Sequence, residues 1–325
     1  MKHEKKLVFI VIILILLVLI IQSINFKVNK IKDNSDDIPQ KNESVVYPPA
    51  ISNNTIEKTD MEDISYGSFE ENKLDIYYPK NANFPLPATI YVHGGGFTTG
   101  DKDQINTIYN KQKNEFLDSN IIVISINYRL LNEATLNEIL DEDIVGAVQF
   151  IKYNSEEYGI DKENIGIWGS SAGGGSALYL GVHEDFQNLN SANEIKREST
   201  KVKVIGHINS QATYDLSQWE SILDVNDSPK LNGILEILSQ KNEGGIDMLT
   251  DLDVNDPPIY IENLRANIDL NEHPEAITKN IVNHHPKHGI YLYEHVSNMG
   301  IKSKLVTQSN EGDADIVEFF LKYLE

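Results

Sequence analysis

Two glycine-rich segments carry the residues of this chain that are best suited to nucleophilic chemistry. The later one, Gly169-Ser170-Ser171-Ala172-Gly173, follows an apolar stretch and has the pattern G-x-S-x-G. This pattern is typical of a tight strand-to-helix turn that exposes a serine hydroxyl, and small residues at 169 and 173 prevent clashes in the turn. Ser171 is therefore the candidate nucleophile for attack on an acyl carbonyl.

The earlier segment, His93-Gly94-Gly95-Gly96, also follows an apolar stretch. Unhindered backbone N–H groups in such a loop can point at the oxygen that becomes negative when a carbonyl is attacked. The expected donors are Gly95, Gly96 and the residue after the nucleophile, Ala172. Either motif alone could be merely a tight turn, but the two in this order favour catalysis.

The elements that must position these motifs alternate between strand and helix patterns, which predicts an α/β fold with a mostly parallel sheet. The site should lie at the carboxyl ends of the strands. Apolar residues at partly helical spacing between 209 and 254 predict a small helical cap, which either lines an acyl pocket or only packs on the domain. Eight strands are predicted, near residues 64–68, 73–78, 88–92, 121–127, 165–168, 202–208, 259–262 and 303–307.

Three further stretches, Asn127-Tyr-Arg-Leu130, 141–151 and 158–165, together with the two glycine-rich motifs, resemble the α/β-hydrolase superfamily. The resemblance is to bacterial carboxylesterases with a feruloyl- or acetyl-xylan-esterase-like core and, more distantly, to the hormone-sensitive-lipase group. It runs from about residue 64 to the C-terminus. It implies ester hydrolysis without a cofactor, and it makes His93 a structural residue that orients the oxyanion loop.

In that superfamily the histidine base follows the last strand. Here the corresponding loop, residues 308–313, has Gly312-Asp313 where these esterases usually have Gly-His, and no histidine occurs after His295. An exposed carboxylate is a poor base at neutral pH. The base therefore stays unidentified: His284 or His285 either turns toward Ser171 or is a water-exposed residue at a helix start.

Asp269 is the candidate acid, because it follows a stretch, Asp256-Pro-Pro-Ile-Tyr-Ile-Glu262, that is similar to the strand before the family's acidic residue. An ordinary surface aspartate is the alternative. The cluster of histidines at 284, 285 and 288 lacks a recognisable zinc pattern, so no metal is predicted. His183 is interpreted as a surface residue and His207 as a core residue.

The N-terminus predicts a membrane anchor over residues 1–26. Lysines precede an apolar run from Leu7 to Ile21, and with its extension to Phe26 the run reaches the ~30 Å of a hydrocarbon core. The positive flank favours a cytoplasmic N-terminus, and no A-x-A-like cleavage site follows. Cleavage and secretion is the alternative. Residues 27–63 have the composition of a flexible polar linker, and residues 64–325 form the hydrolase domain.

Composition sets limits on partners. The net charge of −21 disfavours nucleic acid, and the absence of cysteine excludes both disulfides and a lipid-modified cysteine. We expect a membrane-anchored, extracytoplasmic serine esterase acting on a small-molecule or polysaccharide-linked ester. The alternative is a catalytically impaired member of the fold with a binding or scaffolding role at the cell surface; a serine peptidase on the same fold is a weaker option.

Overall fold

One eight-stranded sheet organises residues 58–240 and 245–324, the residues that the structure, a computed structural model, describes. Its spatial order is β1-β2-β4-β3-β5-β6-β7-β8. The strands are β1 (Met61–Ser65), β2 (Lys73–Tyr77), β3 (Leu86–Val92), β4 (Ile122–Ile126), β5 (Ile160–Ser170), β6 (Ile205–Ile208), β7 (Ile259–Asn263) and β8 (Ser303–Thr307).

The sheet is antiparallel at one edge, where β2 pairs with β1 and β4, and parallel from β4 through to β8. This arrangement confirms the predicted mostly parallel fold. The principal boundary differences are that β1 begins at Met61 rather than Ile64 and β5 begins at Ile160 rather than Ile165. The parallel strands all end at the same edge, so the loops that follow β3, β5 and β7 meet there.

Helices cover both faces of the sheet. They are α1 (Gln104–Thr107), α2 (Asn110–Asp118), α3 (Leu136–Glu138), α4 (Val145–Tyr153), α5 (Ser155–Tyr158), α6 (Ala172–Val182), α7 (Trp219–Leu223), α8 (Pro229–Ser239), α9 (Lys279–Asn283), α10 (Pro286–Asn298) and α11 (Ile316–Leu321). A π-helical turn, Ile139–Ile144, leads into α4, and short 3₁₀ turns occupy residues 195–197, 216–218, 274–276 and 308–313.

Alternate strand residues point to opposite faces and build two apolar layers. Ile90 and Ile167 pack in the layer that contains the buried residues of α4, α6 and α10. Their neighbours Tyr91 and Trp168 pack in the other layer, with Phe116 of α2 and Phe320 of α11. The strands are therefore buried on both sides, which holds the carboxyl ends of β3 and β5 at fixed positions.

The predicted cap region contains α7 and α8, where Trp219 and Leu231 are buried in the core. Residues 241–244 lie outside the described part. The predicted anchor, residues 1–26, and the predicted linker up to residue 57 also lie outside it. The linker prediction ended at residue 63, but β1 already includes residues 61–63. Within the described ranges, no helix is both long and apolar enough to cross a membrane.

Candidate active site

Ser171 occupies the turn between β5 and α6 in a conformation that L-residues rarely adopt, with φ of 76° and ψ of −115°. Its backbone is held on both sides: the N–H donates to the Ile208 carbonyl at 3.0 Å, and the carbonyl accepts from Ser210 Oγ at 2.5 Å. A strained backbone of this kind persists only where its surroundings fix it. The side chain is partly exposed, so a substrate can reach it.

The glycines around Ser171 have no room for a side chain. A Cβ on Gly169 would lie 2.4 Å from the Val92 carbonyl oxygen, and one on Gly173 would lie 2.0 Å from the same atom. These close approaches to the end of β3 explain the two small residues of the G-x-S-x-G pattern.

The glycine loop after β3 lies against the nucleophile. A Cβ on Gly94 would be 3.4 Å from Ser171 Cβ, and Gly95 has a φ of +130° that places its Cβ position 1.8 Å from the Thr99 carbonyl oxygen. Among the described residues, no hydrogen bond uses the backbone N–H of Gly95, Gly96 or Ala172. Three backbone N–H groups with no acceptor among the described residues therefore lie close to Ser171, two in the glycine loop and one on the residue after Ser171.

His93 contacts the glycine loop and the residue that packs behind it, Tyr128. Its Nδ1 lies 2.9 Å from the Gly94 carbonyl oxygen, and its ring stacks on Tyr128 with centroids 4.2 Å apart. The Tyr128 hydroxyl donates to the His93 carbonyl at 2.8 Å. Burial lowers the pKa of His93, so the ring is neutral at pH 7. These contacts fit a residue that orients the loop.

His284 contacts the nucleophile directly, with Nε2 2.8 Å from Ser171 Oγ. Its Nδ1 lies 2.9 Å from the Asn280 main-chain carbonyl and 3.1 Å from Asn280 Oδ1. A carbonyl oxygen can only accept, so Nδ1 carries the proton and Nε2 presents its lone pair to the serine hydroxyl. This is the tautomer that a base for Ser171 requires.

The charge state of His284 also suits a base. Burial lowers its pKa, the hydrogen bond to Asn280 partly offsets that effect, and the positive charge of Arg265 lowers the pKa further. Since the ordinary histidine pKa is about 6.5, the imidazole is neutral at pH 7.

Two buried amide side chains donate hydrogen bonds to the main chain at His284 and at the residue before it. Asn263, at the end of β7, donates from Nδ2 to the His284 carbonyl at 3.0 Å. Gln211, after β6, donates from Nε2 to the Asn283 carbonyl at 2.5 Å. Both amides are nearly inaccessible to solvent. The main chain at His284 is therefore anchored to residues at the ends of β6 and β7, although it lies between α9 and α10.

His285 is buried rather than exposed at a helix start, which corrects the alternative stated above for that residue, and His288 is buried as well. His285 Nε2 lies 2.9 Å from the Ile268 carbonyl and its Nδ1 accepts from the Lys287 N–H. His288 Nε2 lies 3.1 Å from the Val282 carbonyl. Their ring nitrogens form hydrogen bonds with main-chain groups, and of these three histidines only His284 contacts Ser171. His207 is buried as expected, and His183 is only partly exposed.

Asp269 does not lie beside the base. Its exposed carboxylate accepts hydrogen bonds from the backbone N–H groups of Asn271 and Glu272, while His284 Nδ1 faces Asn280. Asp313 is exposed in the 3₁₀ turn after β8, and no hydrogen bond joins it to Ser171 or His284 among the described residues. Asn280 was missed by the sequence reasoning; its position four residues before His284 on one helix face was the available signal.

The comparisons with known proteins concern the family and the fold. Residues 74–264 match the profile of the BD-FAE family. The chain is 28% identical over 139 residues to the probable isoprenylcysteine alpha-carbonyl methylesterase ICMEL1 of Arabidopsis thaliana, covering 43% of this chain and 28% of that protein. It is 34% identical over 158 residues to the chlorogenic acid esterase of Aspergillus niger, covering 44% of this chain and 29% of that protein. These matches span less than a third of either relative.

Among solved structures, a truncated form of a carbohydrate esterase from gut microbiota superposes with a TM-score of 0.61 at 21% identity, over 83% of this chain and 98% of that one. At this identity the similarity concerns the fold. The family match includes the glycine loop and Ser171 but ends before Asn280 and His284.

Proposed function

Because the chain belongs to the BD-FAE family of α/β-hydrolase carboxylesterases, we propose that it is a serine carboxylic-ester hydrolase with Ser171 as nucleophile and His284 as base. The observation that carries the proposal is the 2.8 Å contact between Ser171 Oγ and His284 Nε2. It supplies the imidazole that the loop after β8 lacks.

The proposed reaction has two halves. In the first, Ser171 Oγ attacks the ester carbonyl as its proton moves to His284 Nε2, and the tetrahedral intermediate collapses to an acyl-serine while His284 returns the proton to the leaving alcohol. In the second, water attacks the acyl carbonyl as its proton moves to His284 Nε2, and the intermediate collapses to the free acid while His284 returns the proton to Ser171 Oγ. The unused N–H groups of Gly95, Gly96 and Ala172 form the proposed oxyanion hole.

Asn280 takes the orienting position that an acid has in the usual triad. Its carbonyl and amide oxygens fix the tautomer of His284, as asparagine does in Cys-His-Asn sites. The arrangement is a dyad with a neutral orienting residue.

A small-molecule or polysaccharide-linked ester is the proposed substrate. The chlorogenic acid esterase of A. niger and the gut carbohydrate esterase support this choice by their names, and the partly exposed Ser171 is reachable by a bulky ester.

We also propose that residues 1–26 anchor the chain in the cell membrane, with the hydrolase domain outside the cytoplasm. A C-terminally tagged full-length chain should sediment with membranes, resist carbonate extraction and retain its N-terminal mass, and Leu14→Arg should release it. A wild-type chain that lacks residues 1–26 would favour secretion after cleavage instead.

The catalytic proposal is tested by labelling the full-length protein with a fluorophosphonate probe and mapping the modified residue by mass spectrometry. Labelling should occur at Ser171, disappear in Ser171→Ala, and fall by a factor of about 10² or more in His284→Ala, because the base is lost. His273→Ala, at an exposed histidine away from the site, is the matched control and should label normally.

The outcomes separate the two functions. A folded protein that neither labels nor hydrolyses p-nitrophenyl butyrate would overturn the esterase proposal and favour the binding or scaffolding role. Labelling that survives His284→Ala at the wild-type rate would remove His284 as the base.

A further inference from the structure

Arg265 is a partly buried cation that follows β7. Among the described residues, its side chain has no hydrogen bond, ion pair or ring contact. The other two arginines are both paired: Arg129 with Asp143, and Arg197 with Glu194. The chain has 49 acidic residues against 28 basic ones, so carboxylates are abundant. A partly buried guanidinium with no partner among the described residues is available to bind an anion.

The main chain of Arg265 is tied to the base through one buried residue. Asn263 Oδ1 accepts from the Arg265 N–H at 3.1 Å, and Asn263 Nδ2 donates to the His284 carbonyl at 3.0 Å. Asn263 ends β7 and Arg265 follows it, so both lie at the same edge of the sheet as Ser171.

The positive charge of Arg265 opposes protonation of His284. Burial is the main cause that lowers the pKa of His284, and the Arg265 charge adds to it, because a nearby cation disfavours the imidazolium that forms as Ser171 attacks. An anion bound to Arg265 would cancel this effect. The Arg265 charge therefore disfavours hydrolysis of a neutral ester and favours hydrolysis of an anionic one.

Resting on the proposed esterase function, we infer that Arg265 binds a carboxylate carried by the substrate, so that the preferred substrate is an anionic ester. A guanidinium pairs with a carboxylate through two parallel hydrogen bonds, which matches a planar, singly charged group. Lys287, three residues after His284, already donates to the Leu223 carbonyl and pairs with Asp224. A single guanidinium fits a monoanion better than a phosphate.

Two substrate pairs test the inference in the full-length protein. Mono-p-nitrophenyl glutarate against p-nitrophenyl pentanoate places the charge on the acyl side, and 4-acetoxybenzoate against 4-tolyl acetate places it on the alcohol side. The measured quantity is the ratio of kcat/KM for the charged ester to that for the neutral ester. In at least one pair, Arg265→Gln should lower this ratio at least tenfold, and Arg265→Lys should retain part of it.

Arg197→Gln is the matched control, because this exposed arginine has no contact with the site, and it should keep the wild-type ratios. Thermal melts of each variant establish that the fold is retained. Ratios that are equal in wild type and Arg265→Gln for both pairs would overturn the inference.

A binding measurement separates this inference from the esterase proposal. Isothermal titration of the two charged esters into Ser171→Ala requires no turnover. If wild type fails to hydrolyse any of the four esters but binding still weakens at least tenfold on adding Arg265→Gln, the carboxylate site stands and only the esterase proposal falls. Equal binding with and without Arg265 would overturn the carboxylate site.

Discussion

The base at this site approaches the nucleophile from an unusual place in the chain. His284 follows α9, between β7 and β8, whereas the position after β8 holds Gly312-Asp313. Its orienting residue is Asn280, which fixes the tautomer but carries no charge. A carboxylate in that place would also stabilise the imidazolium that forms during attack. The dyad is therefore expected to be a weaker base than a Ser-His-Asp triad.

The first prediction follows from this difference: Asn280→Asp should raise the activity. A carboxylate beside Nδ1 raises the pKa of His284, and because one unit of pKa corresponds to about 1.4 kcal/mol, of which only part appears in the transition state, a rate increase of up to about tenfold is expected. The pH profile of kcat/KM is the measurement. In wild type its acid limb should lie below pH 6.5, since burial lowers the pKa of His284 and activity is lost as the ring protonates. In Asn280→Asp the limb should move to higher pH.

Asn280→Ala is the companion variant. It removes the contact to Oδ1 but leaves the main-chain carbonyl, so a loss of about fivefold is expected for one neutral hydrogen bond of about 1 kcal/mol. An acid limb that does not move in Asn280→Asp would show that Asn280 does not orient the base.

The second prediction concerns Asp313→His, which restores the usual sequence of the superfamily. The sequence alone suggests that this change could increase activity. Because Ser171 Oγ already contacts His284 Nε2, we now expect kcat/KM to stay within about twofold of wild type, as for most surface substitutions. A gain of tenfold or more would mean that the loop after β8 can still deliver a base.

At the scale of elements, one buried ion pair joins two segments that position the oxyanion loop. Arg129 follows β4, and its Nη2 lies 2.9 Å from Asp143 Oδ1 in the π-helical turn before α4. The Arg129 N–H also donates to Asp143 Oδ2 at 2.9 Å, and both side chains are nearly fully buried. The preceding residue, Tyr128, stacks on His93. The ion pair therefore fixes the strand end on which the glycine loop rests.

The third prediction is that Asp143→Asn lowers the free energy of unfolding by about 3–5 kcal/mol, because it leaves the Arg129 charge buried without its main partner. Denaturant titration is the measurement. Glu142→Gln is the matched control: Glu142 also contacts Arg129, but its side chain is 59% exposed, so less than about 1 kcal/mol should be lost. Equal losses in the two variants would contradict the assignment of the buried pair.

At the scale of the whole molecule, stability comes from the two apolar layers, since the chain has no cysteine. The layers enclose neutral histidines. Burial lowers the pKa of His207 to about 4 and that of His288 to about 3. Neither ring can accept a proton until the pH is far below the value of about 6.5 at which the unfolded chain does. Stability should therefore fall as the pH drops from 6.5 toward 4.

The fourth prediction isolates one of these histidines. His207→Gln should reduce the pH dependence of the unfolding free energy between pH 7 and pH 4.5 by an amount on the order of 2 kcal/mol. Denaturant midpoints at a series of pH values measure it, and His273→Gln, at a surface histidine, is the control. An unchanged slope in His207→Gln would show that His207 titrates in the folded state as it does in the unfolded chain.

Much of the fold and part of the candidate site could be predicted from local sequence patterns. The strand predicted at 303–307 is β8, and the two glycine motifs flank β3 and β5 as expected, because strand periodicity and tight turns depend on residues close together in the chain. The boundary of β1 was missed because Met61 and Glu62 lie on an exposed edge strand, where burial imposes no alternation.

The sequence by itself determined the fold class, the candidate nucleophile and the candidate oxyanion donors, since each depends on a short segment whose backbone geometry admits few residue types. Only the tertiary structure decided which histidine serves Ser171. His284, His285 and His288 are the same residue type within five positions, and their roles differ only in which distant atoms their nitrogens meet. That choice is fixed by the path of the chain across the sheet, which brings residues 113 positions apart to within 2.8 Å.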